Sequence, residues 1–278
     1  MSTAPLPVLL AAAALALTAV PARAGAPQQD AKDDGPPARY VLGLSLASVP
    51  EYEGARRRDL KLRPVWAARI GRLRLATGGG SALLGFGREG AGAGASTALI
   101  EGERLRVGVS LSLDGGRDSG GDAGTTRGLP DVRRTLRAKL YASYSLARDW
   151  TVGAAVSQDV LGRQGGLTMS LDTGWRFFRS ETTEWSAGIG VSAANAQNLR
   201  SYFGVPDSAV AASGKPAYRP GAGLRDVHAG LGVRHALSRH WFVFGGVGTS
   251  RLLGPAARSP LVERPGGMSA AVGVAWRN

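Results

Sequence analysis

The sequence predicts an all-β fold, an antiparallel transmembrane β-barrel of about twelve strands with short periplasmic turns and long extracellular loops. Three observations predict it. A two-residue hydrophobic rhythm runs along most of the chain, and Arg104–Asp114 shows it most cleanly: Leu105, Val107, Val109, Leu111 and Leu113 alternate with Arg106, Gly108, Ser110 and Ser112. Successive side chains of a strand point to opposite faces, so one face there is wholly apolar. The chain also begins like an exported protein, and its tryptophans gather near one set of turns.

Taken in order, Val8–Val20 is a short apolar run followed by Ala22-Arg23-Ala24, a small-x-small cleavage signal. Residues 1–24 read as a signal peptide, with a weak n-region because Met1–Pro7 holds no Lys or Arg. The alternative, a membrane anchor, needs a longer run. There is no cysteine, so a lipoprotein anchor, a disulfide framework and thiolate chemistry are all excluded. Residues 25–38 are polar and proline-rich and read as a flexible lead-in to a barrel over 39–278.

Tyr40, Leu42, Leu44 and Leu46 line the first strand, and Leu60, Leu62 and Trp66 the second. The third starts at Gly71 and runs through a glycine-rich patch toward Leu83; the fourth ends over Thr97–Glu101; the fifth is Arg104–Asp114. Val132–Leu146, Trp150–Gln158, Gly166–Phe178, Thr183–Ser192, Leu224–Leu237, Trp241–Arg251 and Gly267–Trp276 complete the set. A turn at Gly78–Gly80 would add a thirteenth strand. The loop lengths decide against it. Very short turns near Ala68–Gly71, Glu101–Glu103, Ala147–Asp149, Arg179–Thr182 and Ser238–Arg239 alternate with long connections at Val49–Arg58, Gly115–Asp131, Ala194–Gly223 and Leu253–Gly266. Twelve strands put every short turn on one rim, as bacterial outer-membrane barrels require. Trp66, Trp150, Trp175, Trp185, Trp241 and Trp276 all fall near a short turn or the C-terminus and mostly face outward, which reads as an aromatic belt at the headgroup level.

The formal charge is +13, and lysine supplies only Lys32, Lys61, Lys139 and Lys215 of 34 basic residues. The arginines are spread along strands and turns, and the chain is exported, so nucleic acid is excluded as a partner. Arg104, Arg106, Arg137, Lys139, Arg176 and Arg234 are expected inside the barrel near the short turns, in part paired with Asp159, Asp172, Glu184 and Asp226. With Arg148, Arg179 and Arg239 in those turns, this rim is expected to be electropositive and to dock an acidic partner or peptidoglycan carboxylates. On the opposite rim Arg56, Arg57 and Arg58 are candidates for contact with lipopolysaccharide phosphates. Asp226 and His228, two apart, both face the lumen, but no serine or second carboxylate is fixed in register to make a catalytic site. No cluster has metal-ligand spacing, no phosphate loop precedes a helix, and no cofactor is expected.

Several loop sequences resemble a known family. Pro50-Glu51-Tyr52-Glu53-Gly54, Ser201-Tyr202-Phe203-Gly204-Val205, Pro216-Ala217-Tyr218, Ala222-Gly223-Leu224-Arg225-Asp226, Arg251-Leu252-Leu253-Gly254 and Ser259-Pro260-Leu261-Val262 occur in the order found in the MipA/OmpV family, the MltA-interacting proteins of Gram-negative outer membranes. The end Trp276-Arg277-Asn278 departs from the terminal aromatic usual in such barrels. The resemblance implies a non-enzymatic protein of the cell outer membrane. It implies a scaffold that brings a lytic transglycosylase together with a bifunctional penicillin-binding protein for peptidoglycan growth, and it carries over no catalytic residues. Two other classes stay open: a small-solute channel, with Ala194–Gly223 as a plug, and a surface adhesin.

Overall fold

Backbone groups that cross a bilayer as strands must pair with one another, and only a closed sheet leaves no edge. The computed structural model, which describes residues 40–77, 93–117, 119 and 126–278, is such a sheet. Its strands are β1 (Tyr40–Pro50), β2 (Arg58–Ile70), β3 (Leu73–Ala76), β4 (Gly94–Glu101), β5 (Leu105–Asp114), β6 (Thr135–Ala147), β7 (Trp150–Asp159), β8 (Leu167–Arg179), β9 (Thr183–Ala194), β10 (Gly223–Ala236), β11 (Trp241–Leu252) and β12 (Gly266–Arg277). Each strand pairs antiparallel with the next, and β1 pairs antiparallel with β12, closing a barrel of twelve strands. The continuation of β3 toward Leu83 lies outside the described residues.

Alternation sets which face each residue takes. In β2, Leu60 and Leu62 are 70% and 65% exposed, whereas Val65 and Ala67 on the other face are 4% and 2% exposed. In β1, Tyr40, Leu42, Leu44 and Leu46 are exposed and Val41, Ser45 and Ala47 buried. The exposed leucines form the outer wall and the small or polar residues the inner one, the pattern of a sheet whose solvent is lipid. The expected belt is present at the short-turn rim: Trp66 and Trp276 both pair with Leu42, Trp241 pairs with Trp276, and Trp150 with Trp175. Tyr40 and His240 pack on the Trp276 ring from two sides, at centroid distances of 5.5 and 5.7 Å. Gly71, at φ +58, makes the tight β2–β3 turn in a conformation that side chains rarely adopt.

Irregularities shift a few side chains. The β8–β9 register slips between Trp175 and Phe178, and Phe177 and Phe178 are consequently both exposed. A second slip between Ala98 and Ile100 exposes Leu99 and Ile100 together. The sixth strand starts at Thr135, not Val132: Val132 is buried and exchanges backbone hydrogen bonds with Arg117 in the preceding loop. Inside the barrel near the short turns, Val41, Phe242 and Ala275 form a small apolar core flanked by Phe244.

Most of the remaining buried apolar residues lie in the long loops. The β9–β10 connection carries α1 (Ala196–Phe203), a single 3-10 turn (Asp207–Ala209) and α2 (Val210–Ser213), and the β11–β12 connection carries α3 (Gly254–Ala257). Asn195 caps α1: its side chain accepts from the Asn198 amide at 2.9 Å and from the Leu167 amide at 3.1 Å, fixing the helix to the start of β8.

A charge at the middle of the outer wall should be intolerable. Leu44→Arg is expected to weaken folding into lipid vesicles by about 2–4 kcal/mol. Ser45→Ala, on the inner face, should change it by less than about 1 kcal/mol. Denaturant titration of the vesicle-inserted barrel measures both.

Candidate functional site: the capped lumen and its two rims

The long loops meet over the barrel. One buried cluster joins Leu129 from the β5–β6 loop, Val205 and Ala209 from the β9–β10 loop, and Leu261 from the β11–β12 loop, with Val210 and Tyr218 packed on it. These loops leave the barrel at three separate points of its circumference, so the cluster lies across the mouth. A second cluster, Leu199 and Phe203 of α1 with Ala194, Leu252 and Ala256, seats the cap on the ends of β9 and β11. The β1–β2 loop joins through the Tyr52 hydroxyl, which donates to the Leu261 carbonyl at 3.0 Å. The Gly54 carbonyl accepts from the Glu263 and Arg264 amides.

Polar contacts tie the underside of this cap to the lumen wall. Tyr202, from α1, donates its hydroxyl to Asp114 at the end of β5 (3.0 Å), and its carbonyl accepts from Arg117 Nη1 (2.9 Å). Asp114 also accepts from Arg137 Nε at 2.9 Å, and the same guanidinium donates to the Gly165 and Gly166 carbonyls of the β7–β8 loop. Asn198, fully buried, donates to Gly165 as well. Burial first, and then the adjacent Asp114 carboxylate, push the Tyr202 phenol above its ordinary value, so it is held as a neutral donor. Burial lowers the Arg117 value, yet a guanidinium stays charged.

The expected position of Arg137 and Lys139 near the short turns is therefore wrong. β6 leaves the long-loop rim at Thr135, so residues early in it sit under the cap. The pairing expected for the interior is corrected too. Asp159 accepts from the Thr135 hydroxyl and from the backbone amides of Leu161, Arg163 and Gly165, with no arginine side chain among these donors. Of the expected carboxylates, Glu184 lies within ion-pair distance of two lumen arginines, Arg176 at 3.5 Å and Arg234 at 3.6 Å. Arg176 also meets Asp149 at 3.0 Å, and Arg74 meets Glu101 at 2.5 Å.

Asp226 and His228 both face the lumen, as their spacing predicts, and a third group escaped sequence reading. His228 Nδ1 lies 3.0 Å from Asp226 and Nε2 lies 3.0 Å from Asp172 on β8. The two elements are bridged across β9 because Gly190, paired with both Asp172 and His228, has no side chain; a Cβ there would collide with each. Each ring nitrogen thus faces one carboxylate, and the imidazole ties the two strands together. Ser192 donates to Asp226, not to the imidazole. Among the described residues the His228 ring nitrogens are met by the two carboxylates, so the cluster is a cross-strand tie.

Arg148 and Arg239 lie in short turns and Arg179 ends β8, so all three share one rim. The Arg148 and Arg239 carbonyls accept from Arg176 and Arg277. On the other rim the Arg56–Arg58 triplet divides. Arg56 donates its amide to Glu263, and the Arg57 carbonyl accepts from the Glu51 amide, whereas Arg58 opens β2.

A closed sheet of twelve antiparallel strands with an oily outer wall, a belt of aromatics at one rim and loops folded over the other defines an outer-membrane β-barrel. Residues 42–278 match the family described as MltA-interacting protein MipA, and the chain belongs to that family. No curated protein matches it. Among solved structures, the KdgM porin is similar at 10% identity and a TM-score of 0.41, over 85% of this chain and 98% of the porin. The CymD monoaromatic hydrocarbon channel is similar at 11% identity and a TM-score of 0.44, over 87% of this chain and 89% of the channel. The toluene transporter TodX of Pseudomonas putida is similar at 10% identity and a TM-score of 0.37, over 87% of this chain and 90% of the transporter.

Phe203→Ala should empty the cap core and cost the cap about 3–5 kcal/mol. Trypsin should then cut near Arg200 or Arg219 at least tenfold faster, while the barrel keeps its heat-modifiable mobility on gels. His228→Ala should leave Asp172 and Asp226 facing each other unbridged. The barrel's denaturation midpoint should fall, by about 1–3 kcal/mol in stability.

Proposed function

We propose that this barrel is a scaffold of the outer membrane whose periplasmic, short-turn rim docks a lytic transglycosylase and, in the same assembly, a bifunctional penicillin-binding protein. The observation that carries the reading is the family match across 42–278, because the family is described by an interaction with MltA. The geometry supports it in two ways. The loop cap crosses the extracellular mouth, which favours a docking body over an open pore. The opposite rim presents Arg148, Arg179 and Arg239 in or beside its turns, with the paired Arg176 and Arg234 just inside. An acidic protein surface suits such a rim, and electrostatic steering speeds its capture. Residues 1–24 act in this reading as the export signal and 25–38 as the lead-in to the barrel.

The test is a pull-down from bacterial envelopes with the purified barrel, read by mass spectrometry. A lytic transglycosylase should be enriched, more at 50 mM than at 500 mM salt. Reversing Arg148, Arg179 and Arg239 to Glu should reduce its capture at least fivefold at low salt. Capture unchanged by charge and salt rejects the docking rim. A steady anion-selective current in planar bilayers, without enrichment of any cell-wall enzyme, replaces the scaffold with a channel.

A further inference from the structure

Arginine on the lipid-facing wall of a barrel is costly unless an anion meets it. Among the described residues, Arg58 and Arg251 stand on this wall at the extracellular rim. Arg58 shares its parity with the exposed Leu60 and Leu62, so it faces out, and its side chain lies along the wall instead of extending into solvent. Nε donates to the Ser48 hydroxyl at 3.1 Å, Nη2 to the Ser48 carbonyl at 3.1 Å, and Nη1 to the Met268 carbonyl at 2.8 Å. The guanidinium therefore spans β2, β1 and β12. Arg251 is the next cation along. Leu252 after it is buried in the cap core, so alternation turns Arg251 outward, where it is exposed. It pairs with Gly266, two residues before Met268 on the same strand, and Gly266 has no side chain to fill the space beside it.

Three features make this strip more than solvated charge. All the acceptors of Arg58 are neutral, so the cation is held in place but not neutralised. Among the described residues neither Arg58 nor Arg251 has a carboxylate within ion-pair distance, and the neighbouring Asp59 pairs with Lys61 on the inner face at 3.1 Å. Directly toward the membrane centre the wall turns apolar, with Leu46, Leu60, Val247 and Met268 all exposed. The held Arg58 guanidinium, with the exposed Arg251 one strand further along, stands above an oily strip and so matches a molecule with a phosphate at one end and acyl chains at the other. Guanidinium and phosphate pair through two parallel hydrogen bonds, and the pairing strengthens where water is scarce.

We propose that the outer wall across β2, β1, β12 and β11 binds a phosphorylated glycolipid of the outer leaflet, its phosphate on Arg58 and Arg251 and its acyl chains along Leu46, Leu60, Val247 and Met268. The site is independent of the scaffold reading, since it lies on the other rim and on the outside. It also narrows the sequence expectation for Arg56, Arg57 and Arg58, because only the last joins the wall.

The experiment uses the purified barrel in detergent micelles and three probes: diphosphoryl lipid A, lipid A stripped of both phosphates, and inorganic phosphate. Binding is read by native mass spectrometry. Diphosphoryl lipid A should bind at least tenfold more tightly than the phosphate-free form, and millimolar inorganic phosphate should not displace it. The Arg58→Gln, Arg251→Gln double variant should lose at least tenfold in affinity. Arg251→Gln alone leaves every wall hydrogen bond of Arg58 in place and should still lose about threefold, with unchanged heat-modifiable mobility. Equal binding of the phosphate-free lipid overturns the proposal, as does displacement by inorganic phosphate, which marks a free-anion site. Unchanged affinity in the double variant overturns it too.

Discussion

The pairing of β1 with β12 is the constraint on which the rest of this structure depends. In a bilayer an unpaired backbone amide or carbonyl has no water to turn to, and each costs several kcal/mol. A sheet of eleven or thirteen antiparallel strands would bring its two edges together in parallel orientation. Twelve let the first and last strands meet antiparallel, register against register from Val41 with Arg277 to Ser48 with Ala270. Closure then fixes the rest: one side of every strand faces hydrocarbon, the other faces the lumen, and all short turns fall on the same rim.

That logic explains why so much was legible in the chain. A side-chain period of two is written directly into residue order, and Leu60 and Leu62 against Val65 and Ala67 show it surviving intact in three dimensions. Turn length and tryptophan position carried the strand count and the direction of the barrel. What escaped depends on information that a period does not contain. The bulges at Phe178 and Ile100 shift the phase by one residue and leave no composition mark. Val132 has strand-like neighbours but is recruited by the cap through Arg117. Arg137 was misplaced because parity gives the face of a residue and not its height. The Asp172–His228 contact needs a glycine on the strand between them, a relation between residues 56 apart in the chain.

The two ends of the molecule solve different electrostatic problems. Under the cap, Asp114, Arg137, Tyr202 and Arg117 share one hydrogen-bonded network, and the loops are thereby held across the mouth. At the short-turn rim two arginines share Glu184 and further arginines stand in the turns, leaving a cationic surface toward the periplasm. The capped extracellular face and the arginines of the short-turn rim are the two structural features that support the proposed scaffold role. The outer wall is divided as well: tryptophans line the short-turn rim, and Arg58 and Arg251 stand at the long-loop rim.

The central claim is that the oily side of each strand meets acyl chains. A nitroxide scan through Leu105–Asp114 in reconstituted vesicles tests it most directly. Collision with oxygen, which concentrates in hydrocarbon, should peak at Leu105, Val107, Val109, Leu111 and Leu113 and fall at the residues between them. A flat profile, or a mature chain that stays a compact monomer in detergent-free buffer, would contradict it.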